Sequence, residues 1–377
     1  MPRHLTQSVA RRVRRSRPVV VTVFGTRPQF IKLSVLWEAL ESRFRSILID
    51  SGQHYDFALS GSFHSETGLR RPDIHLGLGS AAAAGQIGRL AQRLDRLFPR
   101  LAPDAVIVVG DTSTTAGAAL AAAYRNIPLA HVEAGLRSFD LSTPEEKNRV
   151  LADHLATWRF CPSRAAIANL SREGIDRGVY GVGDLMYENW RKWQFDIPSL
   201  GEIGQWGLKP RECYFLTCHR AQNVDEPDRL RRLVRILYGL DRDTVFAVHP
   251  RARKNLQRLG LWAKLARCRH LRLAPPLPHR AALALIANSR AVLTDSGGIQ
   301  REAYWARTPC LVLRASTEWN ELVECGAGVL TDLDLDRVQR ALARRRRIRP
   351  LDDRCFGYRR PSSRIARCLE SALDSQA

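Results

Sequence analysis

Several residues stand where chemistry is done in open parallel sheets, directly after apolar runs that read as strands. Asp111, in Gly110-Asp-Thr112, and Glu133, in His131-Val-Glu-Ala-Gly135, each put a carboxylate at such a place. A carboxylate buried in a cleft has a raised pKa suited to general acid or base work. The alternatives are helix capping by Asp111 and a structural hydrogen bond from Glu133. Thr143-Pro-Glu-Glu-Lys-Asn-Arg149 reads as a helix start. Thr143 and Glu146 have capping-box spacing with Pro144 at the first helical position, which leaves Glu145 as the freer carboxylate. Glu145 and Arg149 are four apart and could instead pair on the helix surface. His219-Arg220, after another apolar run, suits a diphosphate or proton transfer to one.

Two further turns have the composition of phosphate sites. Gly25-Thr-Arg-Pro-Gln-Phe-Ile-Lys32 places a glycine turn before a helix, with Arg27 and Lys32 as added positive charge. That pattern fits either an anion-binding helix start or an ordinary strand–helix turn with two surface cations. Asp295-Ser-Gly-Gly298 opens a second such helix, where Ser296, Gly297 and Gly298 leave backbone N–H groups open to a phosphate. Glu302, one turn further on, is within reach of a ribose diol. No His-x-x-x-His, no carboxylate cluster with metal spacing and no Gly-x-Gly-x-x-Gly fingerprint occurs, so neither a metal nor a dinucleotide cofactor is expected.

The elements that must position these residues alternate. Val19–Phe24, Ile47–Asp50, Ala105–Val109 and Leu129–Val132 read as buried strands, with helical stretches at Phe30–Leu40 and Thr114–Tyr124. The pattern restarts with a strand at Cys213–Thr217, a helix at Glu226–Leu240, and strands at Val245–Val248, Leu271–Leu273, Ala291–Thr294 and Cys310–Leu313. Such alternation implies parallel βαβ units, and the absence of strict in–out alternation implies sheets covered on both faces. The expected fold is α/β, with two Rossmann-like doubly wound domains facing each other across a cleft. Residues 19–188 form the first, 189–211 the linker and domain start, and 212–355 the second; 1–18 form a basic arm.

The chain has 377 residues, which suits two cores, and a formal net charge of +21. Residues 1–17 carry six arginines and no acid, and 340–349 carries six more. A basic arm can bind nucleic acid or an anionic membrane surface, but a solvated tail is the expectation, with no nucleic-acid partner. No run approaches the roughly 18 apolar residues of a membrane span, and no apolar core follows the N-terminal arginines as in a secretory signal. The eight cysteines are scattered, as free thiols in a reducing compartment would be, so the cytoplasm is the expected location.

Read together, these stretches resemble the non-hydrolysing UDP-N-acetylglucosamine 2-epimerases, from about Val20 to the C-terminal helix. Ser-Gly-Gln-His-Tyr-Asp (51–56), Cys-His-Arg-Ala-Gln-Asn (218–223) and Val-His-Pro-Arg (248–251) extend the match. The resemblance implies the fold of B-type glycosyltransferases, with residues 356–377 as a helix crossing back to the first domain. It also implies a homodimer, no cofactor, and elimination of UDP through a glycal followed by re-addition. On this basis Asp111, Glu133 and Glu145 handle the C2 proton of the sugar. Arg27, Lys32, Arg149 and His219 hold the diphosphate, Ser296, Gly297, Gly298 and Glu302 bind phosphate and ribose, and Arg314 is a further substrate-side residue. Pro-Gln-Phe, Gly183-Asp-Leu-Met-Tyr187 and Thr317-Glu-Trp319 look closer to a branch that includes epimerases of diacetamido-glucuronate sugars. A glycosyltransferase of the same fold is the rival reading. The chain departs from the family pattern at Gly79–Gly85, at Gly357-Tyr-Arg-Arg360 and at Lys147, beside Glu145.

Overall fold

The computed structural model describes residues 17–53, 68–79, 81–194, 204–344, 356 and 360–375. The first half contains β1 (Val19–Phe24), α1 (Arg27–Glu41), β2 (Arg45–Asp50), β3 (Ile74–His75), α2 (Ala83–Leu101) and β4 (Ala105–Val109). It continues with α3 (Ser113–Tyr124), β5 (Leu129–Val132), α4 (Pro144–Leu155), β6 (Trp158–Cys161), α5 (Arg164–Arg172), β7 (Val179–Gly181) and α6 (Leu185–Trp193). These strands form one parallel sheet in the order β3-β2-β1-β4-β5-β6-β7.

The second half repeats the scheme. It runs β8 (Tyr214–Cys218), α7 (Ala221–Val224), α8 (Pro227–Tyr238), β9 (Thr244–Val248), α9 (Pro250–Arg258), α10 (Trp262–Ala266), β10 (Leu271–Ala274) and α11 (His279–Asn288). Then come β11 (Ala291–Thr294), α12 (Gly297–Trp305), β12 (Cys310–Val312), α13 (Asn320–Glu324), β13 (Gly328–Leu330) and α14 (Leu335–Ala343). The sheet order is β10-β9-β8-β11-β12-β13, again all parallel. Both sheets reverse direction beside their first strand, which opens a crevice at β1/β4 in one and β8/β11 in the other.

The apolar strands are covered on both faces, as their lack of alternation implied. Val20, Phe24, Ile107 and Val109 face Leu33, Leu36 and Trp37 of α1. Val21, Val23, Val106 and Val108 face Leu90, Leu94 and Phe98 of α2 and the alanines of α3. The last helix, α15 (Pro361–Asp374), follows the second domain in sequence but buries Ile365, Ala366, Leu369 and Leu373 in the first domain's core. Ser362 donates from both its N–H and its hydroxyl to Glu188 at 2.9 and 2.7 Å, fixing the start of α15 on α6. Helix α6 runs through Trp193, five residues into the stretch expected as linker, because Asn189 donates to the Ile31 carbonyl of α1 and Trp190 is buried.

Candidate active site

The first crevice begins with the turn after β1. Gln29, buried in the first turn of α1, accepts from the N–H groups of Gly25 and Thr26 at 2.9 and 3.0 Å and donates to the Val109 carbonyl at 2.7 Å. One side chain therefore joins the ends of β1 and β4. Gly25 is required by close approach: a Cβ there would overlap Ser51 Oγ and come within 2.9 Å of Thr114 Oγ1. Helix α1 starts at Arg27, with Pro28 in its first turn, where a missing N–H costs nothing. The Arg27 side chain lies outside the described residues, as do His54, Tyr55 and Asp56 of the 51–56 motif.

Lys32 is buried and ion-paired with Glu133 at the end of β5. Glu133 takes a second cation, Arg301, on its other oxygen at 2.9 Å. Burial alone would raise the Glu133 carboxyl, but Lys32 and Arg301 together bring it down to about 2. The sequence expectation of a raised pKa is thus corrected at Glu133, because two cations outweigh desolvation. Asp111 does not cap α3; Thr112 does, accepting from the Thr115 N–H. The Asp111 carboxylate, partly open to solvent, instead pairs with Arg149.

Helix α4 departs from the expected capping box. Thr143 makes no side-chain cap, and its hydroxyl donates to the Asp140 carbonyl at 2.8 Å. Glu146 turns away and accepts from the Ser138 N–H and hydroxyl and from the Phe139 N–H, at 2.8–2.9 Å. It also pairs with Arg149 at 2.5 Å. A loop packed against the helix start thus outcompetes the helix's own N-terminus for this carboxylate. Arg149 is consequently engaged by Asp111 and Glu146, not by Glu145 four residues before it. Glu145 is left partly exposed, with Arg220 of the second domain 3.6 Å away. Lys147 points to solvent.

Across the cleft, Asp295 organises the ends of β8 and β11. Its buried carboxylate accepts from the N–H groups of His219 and Arg220 and from the Asn223 amide, at 2.9–3.1 Å. The His219 side chain remains two-fifths exposed, with its ring 5.8 Å from that of His249. Ser296 precedes α12 without capping it through its side chain, which keeps first-turn N–H groups open to an anion. Glu302 is buried and bonded to His279 Nε2 at 2.8 Å. Arg314 pairs with Glu318 at 2.7 Å, and Arg220 reaches Glu318 at 3.4 Å as well as Glu145. Burial opposes the charge on Glu318, yet Arg314, Arg220 and Arg149 hold its carboxyl well below the usual range.

Asp111, Glu133, Glu145, Lys32 and Arg149 from the first domain thus face Arg220, Arg301 and Glu318 from the second. Sequence reasoning assigned no role to Arg301 or Glu318. Arg301 sits on an ordinary polar helix position, and only the tertiary structure carries it across the cleft. Glu318 lay in a noted stretch, but nothing in its neighbours marked it as the partner of three arginines. Among the described residues, no group of three or more His, Cys, Asp or Glu side chains could hold a metal ion.

Comparison with known proteins points to one family. The family profile described as UDP-N-acetylglucosamine 2-epimerase matches residues 38–370. A Methanococcus maripaludis protein named UDP-N-acetylglucosamine 2-epimerase homolog is 37% identical over 326 residues, 85% of this chain and 90% of that one. The UDP-2,3-diacetamido-2,3-dideoxy-D-glucuronate 2-epimerase of Pseudomonas aeruginosa is also 37% identical, over 93% of this chain and 99% of its own. The crystal structure of Methanocaldococcus jannaschii UDP-GlcNAc 2-epimerase with UDP-GlcNAc and UDP superposes with a TM-score of 0.86 at 34% identity, covering 94% and 99% of the two chains. A Phytolacca americana UGT2 complex superposes at 0.56 with 14% identity, which establishes the shared glycosyltransferase-B-like fold alone. With most of its length matched by the family profile and by relatives above 30% identity, the chain belongs to the UDP-N-acetylglucosamine 2-epimerase family of isomerases.

Proposed function

We propose that the chain interconverts UDP-N-acetylglucosamine and UDP-N-acetylmannosamine by non-hydrolysing elimination and re-addition of UDP. A base takes the proton from C2, the C1–O bond breaks with its electron pair leaving on UDP, and a C1=C2 glycal remains. UDP oxygen then attacks C1 while an acid protonates C2 from the opposite face. The observation that carries this reading is that two carboxylates of the first domain, Asp111 and Glu145, meet the cations Arg149 and Arg220 where that domain faces the second, which carries the Ser296–Gly298 turn.

In this reading the proton chemistry belongs to Asp111 and Glu145. Glu133, ionised and gripped by Lys32 and Arg301, serves as a fixed charge that orients Lys32 toward the diphosphate. Arg149, Arg220 and His219 stabilise the charge that builds on UDP as it leaves, which is where pre-placed cations contribute most to rate. Arg27 adds to them. Ser296, Gly297 and Gly298 take phosphate, Glu302 the ribose, and Arg314 sets Glu318 beside them. Turnover in heavy water should place deuterium at C2 of the product; product without it would rule out the elimination.

A second sugar is favoured by one specific observation. The diacetamido-glucuronate epimerase aligns over nearly all of both chains. An extra carboxylate on the sugar calls for one more cation, which this reading draws from the arginine-rich cleft. Turnover of both UDP-sugars in one assay separates the two. Free, scattered thiols support a cytoplasmic location, and the family resemblance supports a homodimer, which light scattering in solution tests.

A further inference from the structure

Arg301 is the fifth residue of α12, the helix whose start forms the Ser296–Gly298 turn. Its guanidinium leaves the second domain and enters the first, where Nη1 lies 2.9 Å from Glu133 Oε1 and 2.6 Å from Asp184 Oδ2. Asp184 in turn caps α6 by accepting from the Met186 N–H at 2.8 Å. On the side of its own domain, the guanidinium lies over the Trp319 ring, 4.1 Å from the centroid. All four side chains are buried. Around them, α6 and α12 pack through Tyr187 and Trp190 against Trp305, with ring centroids 5.4 and 6.5 Å apart.

Two facts give this contact a consequence for the site. Glu133 has a φ of +68°, a left-handed conformation that costs a non-glycine residue energy and persists only where its surroundings hold it. Glu133 and Asp184 are both acidic and share Arg301 as their common cation. Removing Arg301 leaves two buried carboxylates facing each other, with Lys32 still paired to Glu133.

We propose that Arg301 is a positioning residue that locks the nucleotide half of the cleft onto the chemical half, fixing Glu133 and, through it, Lys32. The lock ties the helix at the proposed phosphate turn directly to the residues placed around the sugar, so the two halves of the site reach working distance together. This rests on the epimerase reading for its activity arm only.

The test uses the full-length Arg301→Met and Arg301→Lys variants beside the wild type. UDP-bound scattering, UDP calorimetry, thermal unfolding and steady-state kinetics are measured for each. Arg301→Met should lower kcat by about 100-fold, the cost of misplacing a catalytic array by an ångström. UDP affinity should change by less than about tenfold, because the turn itself is untouched. The radius of gyration with UDP bound should exceed that of the wild type. Arg301→Lys, which can serve one carboxylate but not both and cannot lie flat on Trp319, should recover part of kcat. An Arg301→Met protein that matches the wild type in UDP-bound size and in kcat per folded molecule overturns the proposal, even if it melts earlier. If the wild type converts no UDP-sugar, the epimerase reading fails, while scattering with UDP still decides the role of Arg301.

Discussion

Glu318 packs so closely on the backbone of Gly297 that a methyl group at Gly297 would overlap its Oε1 and come within 3.1 Å of Trp319 Nε1. The carboxylate gathered by Arg314, Arg220 and Arg149 therefore depends on a missing side chain in the proposed phosphate turn. Gly297→Ala should displace Glu318 and loosen all three arginines. UDP should then bind at least about tenfold more weakly, or about 1.4 kcal/mol. Calorimetry checks this, and unchanged affinity would contradict the arrangement.

Neighbouring glutamates should respond in opposite ways. Glu146→Ala strands the Ser138 and Phe139 N–H groups and removes a buried partner of Arg149. Breaking a buried pair of this kind costs about 3 kcal/mol or more, seen as a lower melting temperature. Glu145→Gln, at a partly exposed position, should change stability by no more than about 0.5 kcal/mol. Its kcat should nevertheless fall by about 100-fold or more if Glu145 exchanges the C2 proton. Equal stability losses for both variants would undo the distinction.

Acid should act on the fold through Glu133. Its carboxyl ionises at about 2 in the folded protein against an ordinary value of 4.5. A depressed pKa contributes stability that is fully present above the unfolded value and is lost as pH falls toward the folded one. Wild-type melting temperature should therefore fall on acidification between pH 4.5 and 2. Glu133→Gln should be less stable at pH 7 and show a shallower decline in that window. Parallel pH curves for the two proteins would show that Glu133 is not held as described.

Much of this was legible in the chain. Val19–Phe24, Ala105–Val109, Leu129–Val132 and Ala291–Thr294 are strands with the boundaries their apolar runs imply. Buried parallel strands write an uninterrupted apolar signal, so those are easy to read. Trp158–Cys161 and Val179–Gly181 escaped notice because they are short and Arg159 interrupts the first. Arg159 is tolerated there because its guanidinium donates to the Asp153 and Arg177 carbonyls at 2.6 and 3.1 Å.

At the site, local order determined which residues stand at strand ends: Asp111, Glu133, His219 and Ser296 follow β4, β5, β8 and β11. The sequence by itself determined that placement, because strand and turn chemistry act over a few residues. Only the tertiary structure decided which charges meet. Glu146 went to a loop and not to its helix cap, Arg149 to Asp111, and Glu133 to two cations from different domains. Ion pairs depend on distance through space, and a residue 168 positions away can be a direct ion-pair partner.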